Sequence, residues 1–242
     1  MTVKEHYDRH LGNFYSWMSG DFETKRKEFQ EFLSSHGITP KSTKTALDLG
    51  AGHGIQSVAL ANLGFDVTAV DFNEQLLKEL DFHTMGMRVH IIRGDIRTVE
   101  RFKKLRPELV VCWGDTLTHL DNKNEIAKFI HDVSSTLESG GKLLLSFRDY
   151  STTLSGDSRF IPVKSDDTKI LTCVLDYQEE FVTVTDLLHE RTANGWQQKV
   201  SSYRKVRVSP QEIIYELERN GLLVKSDEKV RGMLSIVAEK KQ

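Results

Sequence analysis

Apolar residues recur at helical spacing from Val3 to His36: Tyr7, Leu11, Phe14, Tyr15 and Met18, then Phe22, Phe29, Phe32 and Leu33, with Gly12, Gly20 and Gly37 as breaks. Two helices are expected before the first strand. From Thr45 the pattern changes to short apolar runs separated by amphipathic stretches. Residues 46–49 end in a glycine loop, residues 56–63 read as a helix stopped at Gly64, and residues 67–70 form a second buried strand ending in Asp71. Asn73 is placed to cap a helix through Leu76, Leu77 and Leu80, strands follow at 89–92 and 109–113, and a helix at 124–137 leads to a strand at 142–147. Strands alternating with crossover helices need parallel neighbours, because each helix returns the chain to the same end of the sheet. The expected fold is α/β, a doubly wound sheet. After Arg148, apolar or alternating stretches at 169–177, 181–190 and 196–208, with an Asn194-Gly195 turn, predict an inserted three-stranded antiparallel meander. Ser209-Pro210-Gln211-Glu212 opens a last helix that stops at Gly221, and residues 222–224 and 233–238 are expected to pair antiparallel at the end of the main sheet.

Composition changes this picture little. With 242 residues, 38% apolar and 28% charged, the chain reads as one domain. Its segments are a helical cap (1–44), a cofactor-binding core (45–150), the meander (160–208) and the closing helix and strands (209–242). A net charge of -2 gives no field that attracts polyanions, so nucleic acid is not an expected partner. Lys199, Arg204, Lys205 and Arg207 make the one basic run, which reads as a solvated strand face. Cys112 and Cys173 form no Cys-x-x-Cys pair, and His6 and His10 lack a third ligand, so no metal is expected. No apolar run approaches the roughly 18 residues that span a bilayer. The chain reads as complete, soluble and cytoplasmic.

Asp48-Leu49-Gly50-Ala51-Gly52-His53-Gly54 lies where a buried strand becomes a helix. A tight turn wants residues without Cβ strain, and a ligand can press on the backbone only where no side chain intervenes. This is a binding loop at the carboxyl end of the first strand. A dinucleotide fingerprint would set its third glycine at position 55, where Ile55 stands, so the spacing is Gly-x-Gly-x-Gly instead. Asp71 follows Gly54 by 17 residues, and a carboxylate ending the second strand can accept from both hydroxyls of a ribose held over the loop. A nucleoside ligand is implied. Asp48 either contacts that ligand or pins the loop backbone, Trp113 either stacks on adenosine or packs in the core, and His119 either lines the site or fills space under the fourth strand. His53 reads as a spacer whose backbone matters more than its ring.

These residues resemble the class I S-adenosylmethionine-dependent methyltransferases, whose Rossmann-like fold has a mostly parallel seven-stranded sheet. Their Asp/Glu-x-Gly-x-Gly-x-Gly loop matches Asp48 to Gly54, which implies cofactor contacts from Asp48, Gly50, Ala51, Gly52 and Gly54. Asp71-Phe72-Asn73 looks like the family's ribose-binding segment and Gly94-Asp95-Ile96 like its adenine site, with Asp95 accepting from the exocyclic amine and the Ile96 backbone meeting the ring. A closer likeness is to the N-methyltransferases of glycine, sarcosine and dimethylglycine. Gly114-Asp115-Thr116-Leu117-Thr118-His119-Leu120 is similar to their Gly-Asn-Ser-x-x-His-Leu, with Asp115 in place of Asn and Thr116 in place of Ser. Arg148-Asp149-Tyr150 resembles their Arg-x-Tyr, in which the arginine holds the acceptor's carboxylate. Lys25 and Arg26 fall near the position where that family sets a basic residue against the methionine carboxylate. The likeness covers most of residues 5 to 150 and fades beyond them.

The resemblance implies methyl transfer from S-adenosylmethionine to a small-molecule acceptor, most plausibly an amine or amino acid nitrogen; a homodimer is left open. Alignment of acceptor and methyl group can supply on the order of 7 to 11 kcal/mol, so no covalent nucleophile is needed. His119, Tyr15 or Asp115 would assist if the amine arrives protonated. The alternatives are an NAD-dependent oxidoreductase and a non-catalytic S-adenosylmethionine-binding protein. Asn-Pro-Pro-Tyr chemistry is disfavoured, since Trp113-Gly114-Asp115 carries no proline pair.

Overall fold

The computed structural model describes residues 1–230 and 232–241. Arg231 and Gln242, both within the 209–242 segment expected to carry the last helix and strands, lie outside the described residues. Three α-helices open the chain where two are expected: α1 (Val3–Arg9), α2 (Tyr15–Ser19) and α3 (Phe22–Ser35), with a 3-10 turn at Leu11–Asn13. The breaks are backbone events. A Cβ on Gly12 would stand 2.8 Å from the Tyr7 carbonyl oxygen, and Gly20 closes α2 at φ 98°. The apolar spacing runs on through both, so periodicity alone does not show the breaks.

Then follow β1 (Thr45–Leu49), α4 (Ile55–Asn62), β2 (Asp66–Asp71), α5 (Glu74–His83), β3 (Val89–Arg93), β4 (Leu109–Cys112), α6 (Lys123–Thr136) and β5 (Lys142–Phe147). Between β3 and β4 the crossover is a kinked 3-10 segment, Ile96–Leu105. Four antiparallel strands come next, β6 (Phe160–Ser165), β7 (Lys169–Tyr177), β8 (Phe181–Thr192) and β9 (Gly195–Val206), in that spatial order. The meander thus has one strand more than its pattern predicts. β6 is an edge strand broken by a bulge between Pro162 and Lys164, with mostly exposed side chains, so it lacks the period-2 alternation that marks a strand.

After α7 (Pro210–Arg219), capped by Ser209 and Glu212, come β10 (Leu222–Val230) and β11 (Met233–Lys240). The main sheet has seven strands in the order β10-β11-β5-β4-β1-β2-β3. β11 runs antiparallel to both its neighbours and the remaining pairs are parallel, as expected. β10 outruns its predicted end because its outer half is charged, a common protection for an edge strand.

Alternate residues of β1 point to opposite faces, and each face has its own apolar layer. Leu47 and Leu49 join Val110, Leu143, Ile126 and Phe129 on one side, while Ala46 joins Val111, Leu144, Phe29, Leu33 and Leu60 on the other. Each fully buried side chain of this size contributes roughly 1.5–3 kcal/mol. The segment from α1 to α2 lies on the meander, where Leu11 and Phe14 pack with Leu171 and Leu188. This leaves the carboxyl ends of β1, β2, β4 and β5 facing the cap and the meander.

Candidate active site

The loop after β1 is held mainly by its own protein. The Gly50 and Ala51 N–H groups donate to the Val70 carbonyl at 2.8 and 3.1 Å, the Gly52 N–H donates to Asp71 Oδ2 at 2.9 Å, and Gly54 turns back to Ala51 at 3.0 Å. Gly50 and Gly54 are glycine because of packing: a Cβ at Gly50 would meet Thr116 Cγ2 at 2.4 Å, and one at Gly54 would meet Leu80 Cγ at 3.0 Å. Gly52 differs. A Cβ there would lie 3.7 Å from Tyr15 Cε1, in ordinary contact, so α2 closes over the loop at this point.

Asp71 is buried at the end of β2. Burial raises its carboxyl, partly offset by the Asn73 and Gly52 N–H groups that donate to its two oxygens. A carboxylate offers about four lone-pair sites, so some remain for a diol. Asn73 caps α5 and donates from Nδ2 to Asp8 at 3.0 Å, and Phe72 meets the Tyr7 ring edge-on at 5.4 Å, which brings α1 to the same corner. A buried acid at a strand end beside a glycine turn, with the Tyr15 and Tyr7 rings over it, has the residue types that would hold an adenosyl ligand.

Asp48 takes the structural role of its two. Its carboxylate accepts from Ser57 Oγ at 2.6 Å, and burial pushes it up to about 7. The unfolded chain releases that proton near pH 4, so the folded state binds more protons between roughly pH 4 and 7 and loses stability as pH rises through that window. Asp48→Asn should flatten this loss, which amounts to roughly 1.36 kcal/mol per pH unit within the window. Chemical denaturation of both forms across pH 4–8 checks it, and parallel curves would refute the assignment.

Several expected contacts go elsewhere. Trp113 is half-buried, with Phe29 and Phe32 against its ring at 5.1 and 4.8 Å between centroids, which is the core-packing role of its two. Both carboxylate oxygens of Asp95 accept from Arg97, and Ile96 packs partly on the core at the start of the crossover. On α3, Lys25 pairs with Glu28, and Arg26 with Glu23 and Gln30. The His53 ring is no spacer: it is buried against Tyr15 and Phe22, and burial pushes it down to about 4. Gly114 is exposed, with φ 74°.

Asp115, expected against the cofactor, is the centre of a buried polar knot. Its Oδ1 accepts from the Arg148 N–H and from Thr118 Oγ1, both at 2.9 Å; its Oδ2 accepts from Tyr150 OH at 3.1 Å and from Lys205 Nζ. Burial works to raise the carboxyl, but the Lys205 ammonium and the Arg148 N–H outweigh it and hold it below its ordinary value. The basic run on β9 is thus not all solvated, since Lys205 is buried with Ser201 and Tyr203. Positions 201, 203 and 205 share one face of the strand, and that alternation was the available clue to an inward lysine.

His119 lies between Tyr7, edge-on at 5.7 Å, and Tyr203 at 5.5 Å. Burial first, and Lys205 second, hold its ring well below the usual imidazole range. Burial, with Asp71 and Asp48 nearby, pushes Tyr15 up to about 12. With Asp115 already spent on four donors, none of the three expected bases is tuned to take a proton near neutrality. Tyr7, Tyr203 and Lys205 are site residues the sequence reading did not single out. Arg148 directly follows β5 with an exposed side chain, beside Tyr150 and Tyr177.

Residues 46–141 match a family model described as a methyltransferase domain. A glycine/sarcosine N-methyltransferase of Aphanothece halophytica is 32% identical over 128 residues, 52% of this chain and 46% of that protein; one from Halorhodospira halochloris is 29% identical over 137 residues, 55% and 50%. The chain thus spans about half the length of these curated relatives. Among solved structures, the CcbJ methyltransferase of Streptomyces caelestis superposes with a TM-score of 0.76 at 17% identity, covering 100% of this chain and 97% of that one. S-adenosylmethionine-bound CalS10, an amino pentose methyltransferase of Micromonospora echinaspora, gives 0.74 at 16% identity, covering 96% of each chain. Among the described residues, no helix is long and apolar enough to cross a membrane. Residues 46–141 are thus a methyltransferase domain by sequence, and the whole chain has the fold of the class I S-adenosylmethionine-dependent methyltransferases.

Proposed function

We propose that this protein transfers a methyl group from S-adenosylmethionine to the nitrogen of a small amine or amino acid. The observation that carries the reading is the position of Asp71, buried beneath the Gly52 turn and facing the cap that bears Tyr15 and Tyr7. When bound, the cofactor supplies an electrophilic methyl group on a sulfonium. Asp71 would hold the ribose hydroxyls with the lone pairs its backbone partners leave, beside the Gly52 turn over which Tyr15 closes. His119, Tyr203 and Tyr7 pack against one another beside this corner, near the ends of β4 and β5, and the acceptor would approach from that side. Arg148 supplies a guanidinium there, suited to a carboxylate.

Incubation with S-adenosylmethionine and a panel of carboxylated and uncharged amines should yield S-adenosylhomocysteine with at least one of them. Binding of the nucleoside with no turnover of any amine would overturn the reading, as would a preference for NAD. Arg148→Ala should leave S-adenosylhomocysteine affinity within about twofold and raise KM for a carboxylated acceptor roughly ten- to hundredfold, the range expected for hydrogen bonds to a charged group. Equal KM changes for uncharged amines would remove that role.

A further inference from the structure

Arg207 directly follows β9 and reaches across the end of the meander to the segment after β5. Its planar guanidinium makes four hydrogen bonds. Nε donates to the Tyr150 carbonyl at 3.0 Å, Nη2 to the Ser151 carbonyl at 2.8 Å and to Thr153 Oγ1 at 3.0 Å, and Nη1 to the Gln178 carbonyl at 2.6 Å. The Tyr177 ring centroid lies 5.3 Å from its Cζ. Arg207 is itself fixed, since its backbone N–H donates to the Glu180 carbonyl at 2.9 Å and extends the β8–β9 ladder by one residue. The segment it grips has little else to hold it. Among the described residues, 148–155 make no backbone-to-backbone hydrogen bond. Side chains satisfy this backbone instead: Asp115 accepts from the Arg148 N–H, Asp149 from the Ser151 N–H at 2.9 Å, and Arg207 takes the two carbonyls. Beyond Ser151, an open cavity of about 570 Å³ is lined by residues 153–156 on one side and 176–178 on the other, so packing on the meander is loose there.

We propose that Arg207 is a positioning residue for the acceptor: by tying Tyr150, Ser151 and Thr153 to the end of the meander, it fixes the backbone from which Arg148 presents its guanidinium. This rests on the carboxylate role proposed above for Arg148. An exposed arginine on an untethered loop has to be ordered as its ligand binds, and the cost of that ordering is subtracted from the affinity. Here the loop is ordered beforehand. Asp115 holds it from the interior through the Arg148 N–H and the Tyr150 hydroxyl, and Arg207 holds it from the meander two residues further on. Lysine could not replace this fork, because one ammonium does not span carbonyls at Tyr150, Ser151 and Gln178 in a single geometry. All four acceptors belong to residues 150–153 and 178, none to the glycine loop or β2, so the effect is confined to the acceptor side.

The test is a double-variant cycle read through KM. Arg207→Met keeps an apolar stem and removes the donors. KM for the best carboxylated amine of the panel above should rise about tenfold, while kcat, KM for an uncharged amine and S-adenosylhomocysteine affinity each stay within about twofold. In an Arg148→Ala background the same substitution should change KM by less than about twofold, because the group it positions is gone. Arg207→Lys should behave like Arg207→Met, and it carries the cycle if the methionine variant does not fold. In the ligand-free protein, hydrogen exchange of a peptide spanning 148–155 should quicken in both variants, with peptides from β1 and β2 unchanged. Unmoved KM in a folded variant, additive effects in the double variant, or equal losses with uncharged amines would overturn the proposal. If no amine is methylated, or Arg148→Ala leaves KM unmoved, the functional reading fails instead. The exchange of 148–155 then still supports or overturns the hold of Arg207 on this segment.

Discussion

Asp71→Ala weakens S-adenosylhomocysteine binding at least tenfold and lowers Tm as well. Two losses combine. The ribose hydroxyls lose charge-assisted acceptors, a loss of about 1.5 kcal/mol or more. The Gly52 and Asn73 N–H groups, which donate to this carboxylate at 2.9 and 2.8 Å, are left buried without partners, at about 1–3 kcal/mol each. The second loss loosens the loop over which the nucleoside lies, so affinity falls further than the direct contacts alone require. Asp71→Asn keeps one carbonyl acceptor and should fall between the two in both measurements. Calorimetric titration with S-adenosylhomocysteine and a thermal melt of the same samples check this. Unchanged affinity in Asp71→Ala would remove the ribose assignment, whatever happened to Tm.

Gly50→Ala is expected to be comparably damaging by a different route. Its φ of 76° is strained for any residue with a Cβ, and the new methyl would stand 2.4 Å from Thr116 Cγ2 and 2.6 Å from its Oγ1. Overpacking of this kind costs about 1–3 kcal/mol, and the left-handed backbone adds about 1–2. The Thr116 hydroxyl donates to the Trp113 carbonyl at 2.9 Å, so pushing it aside also disturbs the loop after β4. Stability should therefore drop by roughly 2–5 kcal/mol, and Thr116→Gly in the same chain should recover the steric part while leaving the backbone strain. Denaturant midpoints of the single and double variants measure it. An additive double variant would show that the two residues do not press on each other.

The parallel strands and the glycine loop were legible because their information is local. A βαβ unit repeats within a few tens of residues, and the short apolar runs of β1 to β5 announce strands buried on both faces. Asp71 could be placed for the same reason: it ends a run whose partner loop lies only 17 residues away. Asp48 shows where local pattern stops. It could be assigned to the loop, but only the position of Ser57 on α4 decided that its carboxylate turns inward. β6 escaped because an edge strand with a proline and a bulge has no alternation to read.

By itself, then, the order of residues determined a doubly wound sheet, a glycine loop and the acid beside it, since these follow from backbone period, glycine conformation and strand ends. Tertiary structure alone decided the partners of the charged groups. Asp115 and Lys205 are 90 positions apart, and nothing in either neighbourhood names the other. They meet because β9 of the meander is laid against the loop after β4, and a charge is tolerated in that interior only where the fold delivers its counter-charge. The neighbours of Trp113 are set in the same way: α3 brings Phe29 and Phe32 to its ring. Side-chain partners across long stretches of chain are set by which surfaces pack, and periodicity records only that a surface exists.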